Sequence, residues 1–88
     1  MAEDTQELCS LIELCFGDAD DDEGLAELKT QLGIYTERAV EFRRQLSKLL
    51  GRGDGEECRA ILAEFAHQHM PIEQCLEWFE WLERQLSE

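Results

Sequence analysis

The chain has 88 residues, with 21 acidic against 8 basic side chains and a formal net charge of −13. That length suits one small domain, 1–88, rather than two, and the charge argues against direct nucleic-acid binding and against docking on an anionic membrane. A hydrophobic content of 43% is too high for a disordered acidic tail, so a folded core is expected.

The first predicted helix covers about 5–16. Asp4 is the expected N-cap and Glu7 its capping-box partner. Leu8, Leu11, Ile12 and Cys15 then recur on one helical face, and Gly17 supplies the stop. The start carries no basic or long apolar leader, and no apolar run approaches a membrane span. A cytoplasmic protein is the expectation.

The run from Asp18 to Gly24 invites comparison with a calcium loop. With Asp18 at position one, the sixth position is Glu23 and the twelfth is Lys29, where calcium geometry demands glycine and a bidentate glutamate. Carboxylates gathered before a helix N-terminus describe the run better.

The second predicted helix, about 23–50, carries the clearest pattern. Leu25, Leu28, Leu32, Tyr35, Ala39, Phe42, Leu46 and Leu49 alternate steps of 3 and 4 without a break. That is a heptad seam, as in a coiled coil or helical bundle. A helix of this length is a rod of roughly 42 Å, with Gly33 inside it as a point of close approach or slight bending. Arg52-Gly53-Asp54 in the following turn repeats a cell-adhesion tripeptide; it reads here as a coincidence of turn residues.

The third predicted helix, about 55–69, is capped by Asp54 with Glu57 in reciprocal position. Cys58, Ile61, Leu62 and Phe65 form its buried face. Pro71 breaks the chain and opens the fourth helix, about 71–87. On a wheel of that last helix the apolar arc spans roughly 220°. Its core stripe is Ile72, Cys75, Phe79, Leu82 and Leu86, and Leu76, Trp78 and Trp81 widen it. One neighbouring helix cannot cover both edges of such an arc. Either the loop at 17–24 and the first helix bury Trp78, or a partner does.

Charge is uneven along the chain. Residues 1–23 carry a net −9, residues 24–52 a net +3 and residues 53–88 a net −7. Arg43, Arg44 and Lys48 make the middle segment the only basic element.

Chemistry finds little to rest on. Cys9, Cys15, Cys58 and Cys75 contain no CxxC pair, and His67 and His69 point to different faces of a helix. No nucleophile elbow and no phosphate-binding glycine loop is present. The expectation is an all-α antiparallel bundle of three to four helices built on one long central helix, without catalytic activity or cofactor. Its expected function is protein–protein interaction, as an adaptor, a chaperone-like cofactor or a self-associating scaffold. A homodimer or a basic protein partner would be held by Trp78, Trp81, Leu76, Glu73, Glu77 and Glu80. Two alternatives stay open: an acidic inhibitor, immunity-type protein or DNA mimic blocking a basic enzyme site, and a Cys/His metal or redox protein.

Overall fold

Helical periodicity is realised as five α-helices: α1 (Gln6–Phe16), α2 (Asp21–Ile34), α3 (Thr36–Arg52), α4 (Gly55–Phe65) and α5 (Ile72–Ser87). The computed structural model describes residues 5–87, and no strand occurs among them.

The acidic run is used to start a helix. Asp20 caps α2 by accepting the Glu23 N–H at 2.8 Å, and Asp54 caps α4 by accepting the Glu57 N–H at 3.2 Å. The Glu57 carboxylate does not close a capping box; it turns back to Arg52, 2.9 Å away. The expected cap of α1, Asp4, lies outside the described residues, and Glu7 pairs with Arg38 instead of capping. The start of α1 is served from a distance. Gln45 of α3, 3% exposed, accepts the Leu8 N–H on its Oε1 at 2.8 Å. Its amide nitrogen donates to Glu41 Oε2, also at 2.8 Å.

The single helix expected over 23–50 is two helices. They part at Tyr35, whose φ of −109° and ψ of 79° lie outside helical geometry. Gly33, Ile34, Tyr35 and Thr36 are consecutive residues of modest or poor helix propensity. The longest dimension of the molecule is 32 Å, too short for a straight rod of roughly 42 Å. The bend lets α2 and α3 both pack on α1 and on each other. The hub is therefore α1, which also touches α4, while α5 lies against α3 and α4. The seam survives in part. Leu28, Leu32, Phe42, Leu46 and Leu49 are buried, Leu25 and Ala39 are partly buried, and Tyr35 at the bend is 49% exposed.

The third predicted helix also ends early, at Phe65 rather than 69. The N–H groups of Ala66 and Gln68 both reach the Leu62 carbonyl, and His67 takes a left-handed φ of 55°. Pro71 does break the chain. It stands just ahead of α5, its carbonyl accepting from Gln74 and Cys75.

The wide arc of α5 is covered within the chain. Phe16 from the end of α1 meets the Trp78 ring edge-on at 5.0 Å, and Phe79 meets it from α5 itself at 5.1 Å. Asp21, at the first turn of α2, accepts the Trp78 indole N–H at 3.1 Å and the Gln68 amide at 3.0 Å on one oxygen. Gly24 makes room for this arrangement. A β-carbon there would lie 2.2 Å from the Phe16 ring.

Three substitutions test these packing details. Gly24→Ala lowers the unfolding midpoint despite its better helix propensity, because overpacking costs about 1–3 kcal/mol. Gly33→Ala, where nothing lies within 4 Å of the added carbon, gains about 0.5–1 kcal/mol. Gln45→Ala loses about 1–3 kcal/mol by orphaning the Leu8 N–H. Urea unfolding followed by circular dichroism checks all three, and a Gln45→Ala protein as stable as the parent would remove the long-range cap from the account.

Candidate functional site

The residues expected to hold a partner do not form one surface. Glu73, Glu77 and Glu80 are exposed along α5, and Leu76 and Trp81 are partly buried. Trp78 is 7% exposed; of the two places left open for it, an interface or the core, it takes the core. A buried indole needs an acceptor for its N–H, and Asp21 supplies it. Trp81 leans on it at a centroid distance of 5.8 Å.

The cysteines and histidines do not assemble either. Among the described residues no three His, Cys, Asp or Glu side chains are grouped to hold a metal ion, and His67 and His69 are both exposed. Cys15, Cys58 and Cys75 are buried free thiols. Burial pushes Cys15 and Cys58 up to about 11; it raises Cys75 as well, against the hydrogen bond that its thiol donates to the Met70 carbonyl. Thiols held above their ordinary pKa are poor nucleophiles at neutral pH.

Cys9 is the exception in position. It is partly buried in a groove of about 670 Å³ between α1 and α4. Two rows of side chains face each other across it: Gln6, Cys9, Ser10 and Glu13 from α1, and Glu57, Ala60, Ile61 and Glu64 from α4, with Thr5 and Phe65 completing the lining. Each row follows i, i+3, i+4, i+7, the spacing of one helical face. Small side chains hold the middle of both rows and carboxylates close them. Burial raises the Cys9 thiol above its ordinary pKa; a hydrogen bond with Thr5 lowers it, and the charges of Glu64 and Glu57 raise it further.

No lysine, arginine or histidine lines this groove. Glu57 is paired with Arg52, whereas Glu13 and Glu64 have no ion-pair partner among the described residues. Among the same residues three further arginines are tied to acids. Arg38 pairs with Glu7, Arg44 with Glu41 and Arg59 with Glu56. Hydrogen bonds from Arg44 and Gln45 hold the exposed Glu41 carboxyl down to about 2.

Sequence reasoning passed over the groove because its rows are small and polar. Ile61 and Phe65 were read as part of the buried face of their helix, and the rest of the lining raises no hydrophobic signal.

Comparison of the chain with protein-family models, curated proteins and solved structures gives no match.

The four thiols are expected to separate cleanly on alkylation. At pH 8 Cys9 takes up maleimide in the folded protein, and Cys15, Cys58 and Cys75 do so only on unfolding. Intact-mass counting of adducts reads this directly; two or more adducts at native pH would show the core thiols to be accessible.

Proposed function

We propose that this protein is a small acidic interaction module that works by holding a basic protein partner, with no reaction of its own. The observation that carries this reading is the placement of charge. Arg38, Arg44, Arg52 and Arg59 are engaged by acids of the same chain, while Glu13 and Glu64 beside the groove and Glu73, Glu77 and Glu80 on α5 face solvent. A field of one sign speeds capture of an oppositely charged partner and rejects like-charged ones. The thiols and imidazoles, by contrast, lack the mutual geometry that nucleophilic or metal chemistry requires.

Adaptor, chaperone-like cofactor and scaffold are all uses of such a module. Self-association drew its support from the wide apolar arc of α5, with Trp81 at the contact. Trp78 is covered by Phe16 and tied to Asp21, which leaves the partly buried Leu76 and Trp81 and the exposed Ile72 at the edges of the arc, and two copies at −13 each repel. A partner of opposite charge is favoured.

The second reading, an acidic inhibitor that plugs a basic enzyme site, shares this electrostatic logic. The exposed row Glu73, Glu77 and Glu80 favours it, but Arg84 interrupts the row, and a DNA mimic needs a continuous track of negative charge.

Immobilised protein incubated with extract of the source cell tests the proposal. The retained partner should be basic, bind one-to-one, and elute as salt rises from ~0.05 to ~0.5 M, where the Debye length falls to a few ångströms. Retention that ignores salt, or an acidic partner, would count against it. Loss of a purified partner's enzymatic activity on binding would select the inhibitor reading.

A further inference from the structure

The α1–α4 groove has the shape and charge to say what part of a partner it takes. Its walls are two helical faces whose central residues, Cys9, Ser10 and Ala60, are small. Small central residues let a third helix approach closely, as ridges settle into grooves in a bundle. The floor is apolar where Ile61, 5% exposed, and the partly buried Phe65 come to the surface. Both rows end in carboxylates, and the two without a counter-charge, Glu13 and Glu64, stand one on each wall. Their charge bears on what lies between them, since Glu64 acts on the Cys9 thiol.

Resting on the reading above, we infer that this groove docks an amphipathic helical segment of the basic partner. Apolar side chains at i, i+4 and i+7 lie between the two rows, and lysines or arginines on the segment's flanks meet Glu13 and Glu64. From Gln6 to Glu13 the wall is about 11 Å long at 1.5 Å per residue, so the segment presents two to three turns. Helix-in-groove binding uses this spacing of anchors.

A second copy of this chain does not meet the requirement. Its basic helix is α3, whose apolar residues Phe42, Leu46 and Leu49 are buried in its own core. A small anionic ligand is excluded by the carboxylates. A strand has no sheet edge to join.

The test uses the full chain and a synthetic 14-residue probe with leucines on one helical face and lysines flanking them. Two control peptides accompany it: a scramble of the same composition, and a version with glutamate for lysine. Binding is read by fluorescence anisotropy, by amide shifts in 15N-labelled protein and by the alkylation rate of Cys9. The probe should bind, shift α1 and α4 amides, and slow Cys9 alkylation in proportion to occupancy; the controls should not.

Glu13→Gln with Glu64→Gln should weaken binding about three- to tenfold, the range expected of two rim charges. Glu37→Gln with Glu83→Gln removes the same charge from exposed positions outside the groove and should change it less than twofold. Equal weakening by both pairs, equal binding of the scramble, or shifts centred on α5 overturns the groove assignment. So does a dimer in sedimentation that the Glu13/Glu64 variant dissolves. If the probe fails while the chain still retains a basic protein in a salt-sensitive way, the groove is wrong and the interaction module stands. If no basic partner is retained at all, the underlying reading fails.

Discussion

Everything else in the molecule is arranged around the need to cover α1. Its eleven residues place Leu8, Leu11, Ile12, Cys15 and Phe16 out of solvent, none more than 3% exposed. No single neighbour can do that. The chain reaches α1 with α2, α3 and α4, and in so short a sequence two of those must come from one continuous apolar seam. Bending the seam at Tyr35 is the solution. An unbroken rod would place one half beyond the reach of α1 and leave Leu28 and Leu32, or Phe42 and Leu46, in water. Each such side chain is worth about 1.5–3 kcal/mol when buried, which outweighs the few helical hydrogen bonds lost at a single bend.

Two polar residues fix how these helices meet. Gln45 joins the first turn of α1 to α3, and Asp21 joins the first turn of α2 to Trp78 of α5 and to Gln68 of the preceding loop. Apolar packing alone tolerates sliding of one helix past another; a buried donor left without its acceptor does not. Among the described residues no buried side-chain nitrogen or oxygen lacks a partner. Both ties also sit at helix N-termini, where backbone N–H groups are free to be satisfied and where negative charge is favoured. The acids near α2 therefore act as structure first.

Legibility of the sequence follows from the range of the interactions involved. Local signals were readable: the cap Asp54, the stop at Gly17, the break at Pro71 and the core faces of α1 and α4 all depend on residues within a turn of one another. The long helix over 23–50 was misread because heptad spacing records which side of a helix is apolar, not whether the helix is continuous. Leu32 and Phe42 stay inward on either side of a bend that the 3–4 rhythm does not register. Gly33 through Thr36 carried the warning, but propensity is a weak signal against a long seam. Trp78 was left open between core and interface for the converse reason. Its partner Asp21 is 57 residues away, and an amphipathic wheel shows only that an edge is apolar, never what comes to cover it. The groove was invisible because Cys9, Ser10 and Ala60 are small.

The uncovered flank of α1 and the surplus of acid belong to one argument. A compact chain at −13 carries self-repulsion that opposes folding, and most of its bases are already committed or lie on α3, away from the rows that line the groove. Glu13, Glu57 and Glu64 line the groove beside a thiol whose ionisation Glu64 and Glu57 oppose. In the proposed reading, the counter-charge to Glu13 and Glu64 comes from the bound partner, while Glu57 already has Arg52. A cationic ligand then stabilises the fold by mass action, and the rigid core formed by α1, Phe16 and Trp78 holds the two rows of the groove in place before it arrives. Preformed walls reduce the ordering that binding must impose. In that reading, a partner that brings its own helix and its own charge is held with few contacts.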